Sequence, residues 1–97
     1  MRVIARKTLR DYWQKEPAAA QELKAWFAEA ENADWKTPAD VKAKYGNASI
    51  LKAGRVVFNI CGNSYRLVVR INYAFGVIYI RFVGTHEGYD AIDAQTI

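Results

Sequence analysis

Three runs rich in β-branched and aromatic residues, R-V-V-F-N-I, Y-R-L-V-V-R-I-N-Y and V-I-Y-I-R-F-V, occupy residues 55–83 almost without interruption. Gly62-Asn63 divides the first from the second, and Ala74-Phe75-Gly76 divides the second from the third. Val, Ile, Tyr and Phe suit a pleated surface, and glycine takes the positive φ that a tight hairpin requires. The spacing predicts a three-stranded antiparallel meander over Arg55–Ile60, Tyr65–Tyr73 and Val77–Val83.

Successive residues of a strand point to opposite faces, so the pleat sorts these side chains. One face collects Val56, Phe58, Ile60, Tyr65, Leu67, Val69, Ile71, Ile78, Ile80 and Phe82, and such an apolar surface must be covered. The other face collects Arg55, Asn59, Arg66, Arg70, Asn72, Tyr79 and Arg81 among valines. It carries four arginines and no carboxylate. A face meant only for solubility would mix both signs. Arginine's planar fork matches phosphate, so this face reads as an anion-binding surface, with RNA as the anion. The alternative is a solvated face whose arginines pair with carboxylates on the helices.

Ninety-seven residues suffice for one domain with one core. The 14 Lys and Arg outweigh 10 Asp and Glu by only +4, so the distribution of charge matters more than its sum. A single cysteine, Cys61, excludes an internal disulfide and fits a reducing compartment. No apolar run reaches signal-peptide or membrane-spanning length, and a cytoplasmic protein is expected.

Ahead of the meander, Arg2–Ala5 reads as an added edge strand. A helical stripe follows, with Leu9, Tyr12 and Trp13 at i, i+3, i+4. Pro17 ends that helix and suits the first turn of a second, from Ala18 to about Asn32, which turns Leu23, Trp26, Phe27 and Ala30 to one side. The two form a hairpin lying on the apolar sheet face. Thr37-Pro38 starts a short helix running to about Lys44, with Gly46 as its stop. Asn47–Gly54 reads as a linking loop, and after the third strand a polar turn leads to a weak helix through Gln95. The fold class is therefore α+β.

The chemistry-bearing residues gather near the arginine face. His86, the lone histidine, follows the last strand at the rim of the basic side, and imidazole exchanges protons near neutral pH. Tyr89, three residues on, can share a helical face with it. A capping or solvent-exposed histidine is the plainer alternative. One histidine, one cysteine and scattered acids show no metal-ligand spacing, and no cofactor or metal is expected. Cys61 lacks an evident activating partner. No glycine-rich loop opens a helix in the manner of a phosphate-cradling motif.

The segments F-N-I-C-G-N-S-Y-R-L-V-V-R-I-N-Y and Y-I-R-F-V-G-T-H-E-G-Y-D resemble the HigB family of bacterial toxins, which are RelE-like mRNA interferases of type II toxin–antitoxin systems. The likeness extends to the N-terminal strand and helices and to T-P-A-D-V-K. The family's closing motif more usually reads T-H-x-E-Y-D, and here Gly88 stands in place of the glutamate. The resemblance implies a RelE-like domain spanning residues 1–97, with a small twisted, mainly antiparallel sheet and the helical hairpin on one face. It implies an endoribonuclease that cleaves mRNA on the ribosome, with its groove on the sheet face opposite the helices. It also implies neutralisation by a cognate antitoxin, a helix-turn-helix protein resembling HigA. Metal-independent attack of the RNA 2′-hydroxyl, leaving a cyclic phosphate, requires positive groups at the phosphate and an acid and a base. The catalytic candidates are Arg66 and Arg81 for charge and His86 and Tyr89 for proton transfer. Lys52, Arg55 and Arg70, with Asn59 and Asn63, are the RNA-binding candidates. A non-catalytic RNA-binding module, or an interaction domain docking an antitoxin, would use the same face.

Overall fold

The computed structural model describes residues 1–97. It contains β1 (Arg2–Ile4), α1 (Arg6–Lys15), α2 (Pro17–Asn32), α3 (Pro38–Lys44), β2 (Ser49–Ile50), β3 (Arg55–Ile60), β4 (Tyr65–Asn72), β5 (Val77–Thr85) and α4 (His86–Asp90). The five strands form one sheet in the order β1-β5-β4-β3-β2. β3, β4 and β5 make the expected antiparallel meander, and β1 adds to its edge in parallel with β5. No helix is long and apolar enough to cross a membrane.

Helix boundaries follow local chemistry. Thr37 caps α3 in a reciprocal capping box with Asp40, and Pro38 fills the first turn. Pro17 starts α2, whose residues Ala19, Leu23, Trp26 and Ala30 recur at helical spacing and are all buried. They pack on the sheet around Phe58, which meets Trp26, Trp35 and Tyr45 at ring-centre distances of 5.4, 6.4 and 5.1 Å. Trp35, Val41 and Ala48 complete this core from segments in which no apolar period announces burial.

The structure corrects the sequence reading in three places. First, Asn47–Gly54 is not merely a loop. Ser49 and Ile50 pair with Val57 and Val56 as β2, and Lys52–Gly54 forms a 3₁₀ turn packed against β4. Second, the terminal helix ends at Asp90 rather than Gln95. The Asp93 side chain accepts the Gln95 N–H at 2.9 Å, and such an aspartate turn competes with helix. Third, strict alternation fails in β5. Val68 pairs with Phe82 but Val69 with Ile80, so Arg81 is an extra residue at a β-bulge. Beyond it Val83 turns to the helix-covered core. Phe82 instead joins Val57, Val68 and Ala94 in a second, smaller cluster on the opposite face.

That second face is therefore partly roofed. Tyr89, Ile92 and Ile97 fold back over Val57, Val68 and Phe82. Gly84 accommodates the Phe82 ring, because a Cβ there would lie 2.7 Å from its Cζ.

Candidate functional site

The roof divides the arginine face into two ends. At one end, β3 and β4 meet in the turn after Ile60, and β5 leads directly into α4. Asn59 lies opposite Arg66, and Arg66 lies opposite Gly84, so both side chains share this rung. Arg66 is the one charged residue counted as buried, only 9% exposed. Its Nη1 donates to the Asn63 carbonyl at 3.0 Å and the Tyr65 carbonyl at 3.2 Å. Its guanidinium carbon stands 5.8 Å from the centre of the Tyr89 ring. Carbonyl oxygens and a ring face steer the cation without neutralising it, which a carboxylate would do.

α4 brings the histidine to the same end. The His86 N–H donates to the Ser64 carbonyl at 3.0 Å, and the Thr85 hydroxyl caps the turn by accepting the Gly88 N–H at 3.1 Å. His86 Nδ1 lies 3.3 Å from Asp90 Oδ2, one turn on. That carboxylate beside Nδ1 orients the imidazole ring and leaves Nε2 as its other polar atom. Arg66, Tyr89 and His86 thus gather at one end of the sheet, with Asn63 contributing its backbone carbonyl.

At the other end the face opens into a cavity of about 600 Å³. Its walls include Ile50, Leu51, Gly54, Arg70, Tyr79 and Arg81. Arg70 Nε donates to the Ala53 carbonyl at 3.2 Å, which aims the rest of its fork. Arg81 is exposed, at the bulge. The register therefore groups Arg81 with Arg70 in this cleft, while Arg66 faces Gly84 further along. Lys52 sits exposed on the 3₁₀ turn beside the cleft. Arg55 Nε donates to the Ile97 carbonyl at 2.8 Å and holds down the roof, and Asn59 Nδ2 reaches the Asn47 carbonyl at 3.4 Å.

The decisive electrostatic fact is where the carboxylates are. The Lys and Arg ion pairs are Arg6–Glu31, Lys7–Asp11, Lys36–Asp34 and Lys44–Glu29, all away from the arginine face. No sheet-face arginine forms an ion pair with an Asp or Glu side chain, so the alternative of arginines neutralised by helix acids is not what forms. No three His, Cys, Asp or Glu side chains converge as a metal-binding group. Cys61 lies apart, against Ala18 and Glu22, where burial first and then the Glu22 charge push its thiol upward. That leaves it protonated and a weak nucleophile.

Sequence reasoning did not find Asp90 as the partner of His86, although the i, i+4 spacing was a readable signal. It also missed Ile50 and Tyr79 as lining residues of one cleft, for which no local pattern exists.

A family model described as HigB toxin, RelE-like toxic component of a toxin–antitoxin system, matches residues 19–92. The mRNA interferase toxin HigB of Escherichia coli strain K12 is 32% identical over 96 residues, which cover 97% of this chain and 92% of that protein. The mRNA interferase HigB proteins of Escherichia coli O157:H7 and Shigella flexneri match to the same 32% over the same share of each chain.

Proposed function

The chain belongs to the HigB family, the RelE-like toxic components of toxin–antitoxin systems, and we propose that its arginine face is the surface on which it cleaves mRNA. It is an endoribonuclease toxin, as its relatives named mRNA interferase indicate, and it acts as one domain in the cytoplasm. The message is cut while held on the ribosome. The gene product that restrains it is a helix-turn-helix antitoxin resembling HigA.

In the reaction, the 2′-hydroxyl attacks the adjacent phosphorus, the P–O5′ bond breaks, and the products are a cyclic phosphate and a 5′-hydroxyl. One proton must leave the 2′-oxygen and one must reach the departing 5′-oxygen. His86, oriented through Nδ1 by Asp90, serves one transfer, and the Tyr89 hydroxyl serves the other. Arg66 presents the unused donors of its fork to the pentacoordinate phosphorane, where charge develops. Arg81, which the bulge groups with Arg70 at the other end of the face, holds the RNA backbone there together with Arg70 and Lys52. Asn63 acts through its carbonyl on Arg66, whereas Arg55 and Asn59 line the face while tying down its surroundings.

The observation that carries this reading is that Arg66, Tyr89 and the His86–Asp90 pair share one end of a sheet face whose arginines form no ion pair with Asp or Glu. The test is a translation extract programmed with a defined message and mapped for new RNA ends. Wild-type protein should produce cuts that persist in EDTA, and His86→Ala should abolish them. Retention of RNA without cuts would make the protein a binding module instead.

A further inference from the structure

Three large apolar side chains stand exposed, Ile50 at 38%, Tyr79 at 37% and Phe75 at 81%. Two of them, Ile50 and Tyr79, line the same cavity, and the third caps the hairpin whose Ala74 lines it too. Exposed apolar groups drawn together beside cations mark a surface with a partner.

The cleft is held in shape by unusual backbone. Ala53 and Gly54 have φ of 56° and 77°, and a Cβ on Gly54 would lie 2.4 Å from the Ile71 carbonyl oxygen. The wall bearing Leu51 therefore presses directly on β4, an approach only glycine permits. The same close packing lets the Ala53 carbonyl fix Arg70 Nε. On the opposite side, Asn72 Oδ1 accepts the Phe75 N–H at 3.1 Å, so its amide is oriented with the NH₂ left as a donor.

A phosphate needs none of the apolar surface, and a purely apolar ligand needs no arginines. An aromatic ring and an aliphatic wall, flanked by two guanidinium groups and one oriented amide donor, suit a nucleobase attached to its phosphate. We infer that the cleft lined by Arg70, Tyr79 and Arg81 is a subsite for one unpaired base of the RNA strand, stacked on Tyr79, with Ile50 in the apolar lining of the same cavity. The Arg70–Tyr79 rung lies four residues along β4 from the Arg66–Gly84 rung (70 against 66), or ~13 Å at ~3.3 Å per residue. The base held there consequently belongs to a nucleotide flanking the cut, and Tyr79 is a positioning residue that sets where the strand lies. The Asn72 donor favours a base presenting an acceptor on the edge it reaches.

This inference rests on the RNA-cleaving reading, and the experiment separates the two. Short single-stranded RNAs carrying 2-aminopurine at successive positions are titrated with purified full-length protein, and cleavage of a message is assayed in parallel. Wild type should quench the fluorophore at one position. Tyr79→Leu, which keeps bulk on the strand, should lose that quench and bind ~5- to 100-fold more weakly. Tyr79→Trp should retain the quench and bind at least as tightly. If Tyr79→Leu keeps both quench and affinity, the subsite is refuted. Should that variant fail to fold, a Tyr79→Trp protein that loses the quench refutes it equally. Wild-type cleavage with no quench at any position overturns the subsite and leaves the enzyme standing, whereas absence of both binding and cleavage overturns both.

Discussion

The two faces of the sheet are built from alternate residues of the same strands, yet they do opposite work. The helix-covered face forms a cluster of 17 buried residues with no charged member, closed by four aromatics around and including Phe58. The other face buries a cluster of 3, Val57, Val68 and Ala94, with arginines set around it. One face converts its area into stability through the removal of apolar surface from water. The other gives up that gain in order to keep guanidinium groups unneutralised. The lesson is that the two sides differ in charge left unpaired on a rigid scaffold rather than in net charge, and the proposed cleavage site lies on the side that carries it.

Breaking one side without the other is the sharpest trial of this division. His86→Ala should lower cleavage by ~10²–10⁴ while the melting curve stays near that of wild type, since the residue is exposed. Phe58→Ala should do the reverse, costing ~3–5 kcal/mol of stability by chemical denaturation. Phe82→Ala, in the smaller cluster, should cost less than Phe58→Ala in the same measurement. If the two losses were equal, the second cluster would be a full core and the contrast would fail. Arg70→Gln should weaken RNA binding and reduce the slope of log affinity against log salt by ~1, with cut positions unchanged.

Alkali offers a further handle on the helix side. Burial, then the hydrogen bond to Glu29, pushes the Tyr45 phenol far above its ordinary value of 10.0. The folded chain therefore holds that proton after the unfolded chain would release it. The associated stability is complete below pH ~10 and is lost as pH rises above it. Tyr45→Phe should flatten the decline in melting temperature above pH ~10. At the smallest end, Gly88→Ala should raise stability by ~0.5–1 kcal/mol, because a Cβ there meets Thr85 Oγ1 and Phe82 only at ordinary contact distances of 3.4 and 3.5 Å.

Much of this was legible beforehand where a period repeats. The meander, the helical hairpin, the cap at Thr37 and the single-sign face all follow from spacing within one segment. Trp35 and Tyr45 were not recognised as core, since isolated aromatics in short connections have no period to reveal what they touch. The placement of Phe82 was misread because a bulge depends on pairing between two strands, which neither strand encodes alone. The site candidates were named from the sequence as neighbours of the face, but their grouping required the register. Arg66 joins Tyr89 and α4, and Arg81 joins Arg70.

The extra residue at Arg81 can be viewed as a slip of phase. Alternation along a strand is a two-valued signal, and one inserted position inverts every value downstream. A strand that kept strict alternation through Arg81 would put Phe82 on the helix side and reverse Val83, Gly84 and Thr85 as well. Thr85 caps the turn that launches α4, so the inversion would carry His86 toward the wrong side of the sheet. Deleting residue 81 would remove the slip and leave Phe82 to Thr85 on their present faces, so it would act as the loss of a charge while the exit of the chain stayed where it is.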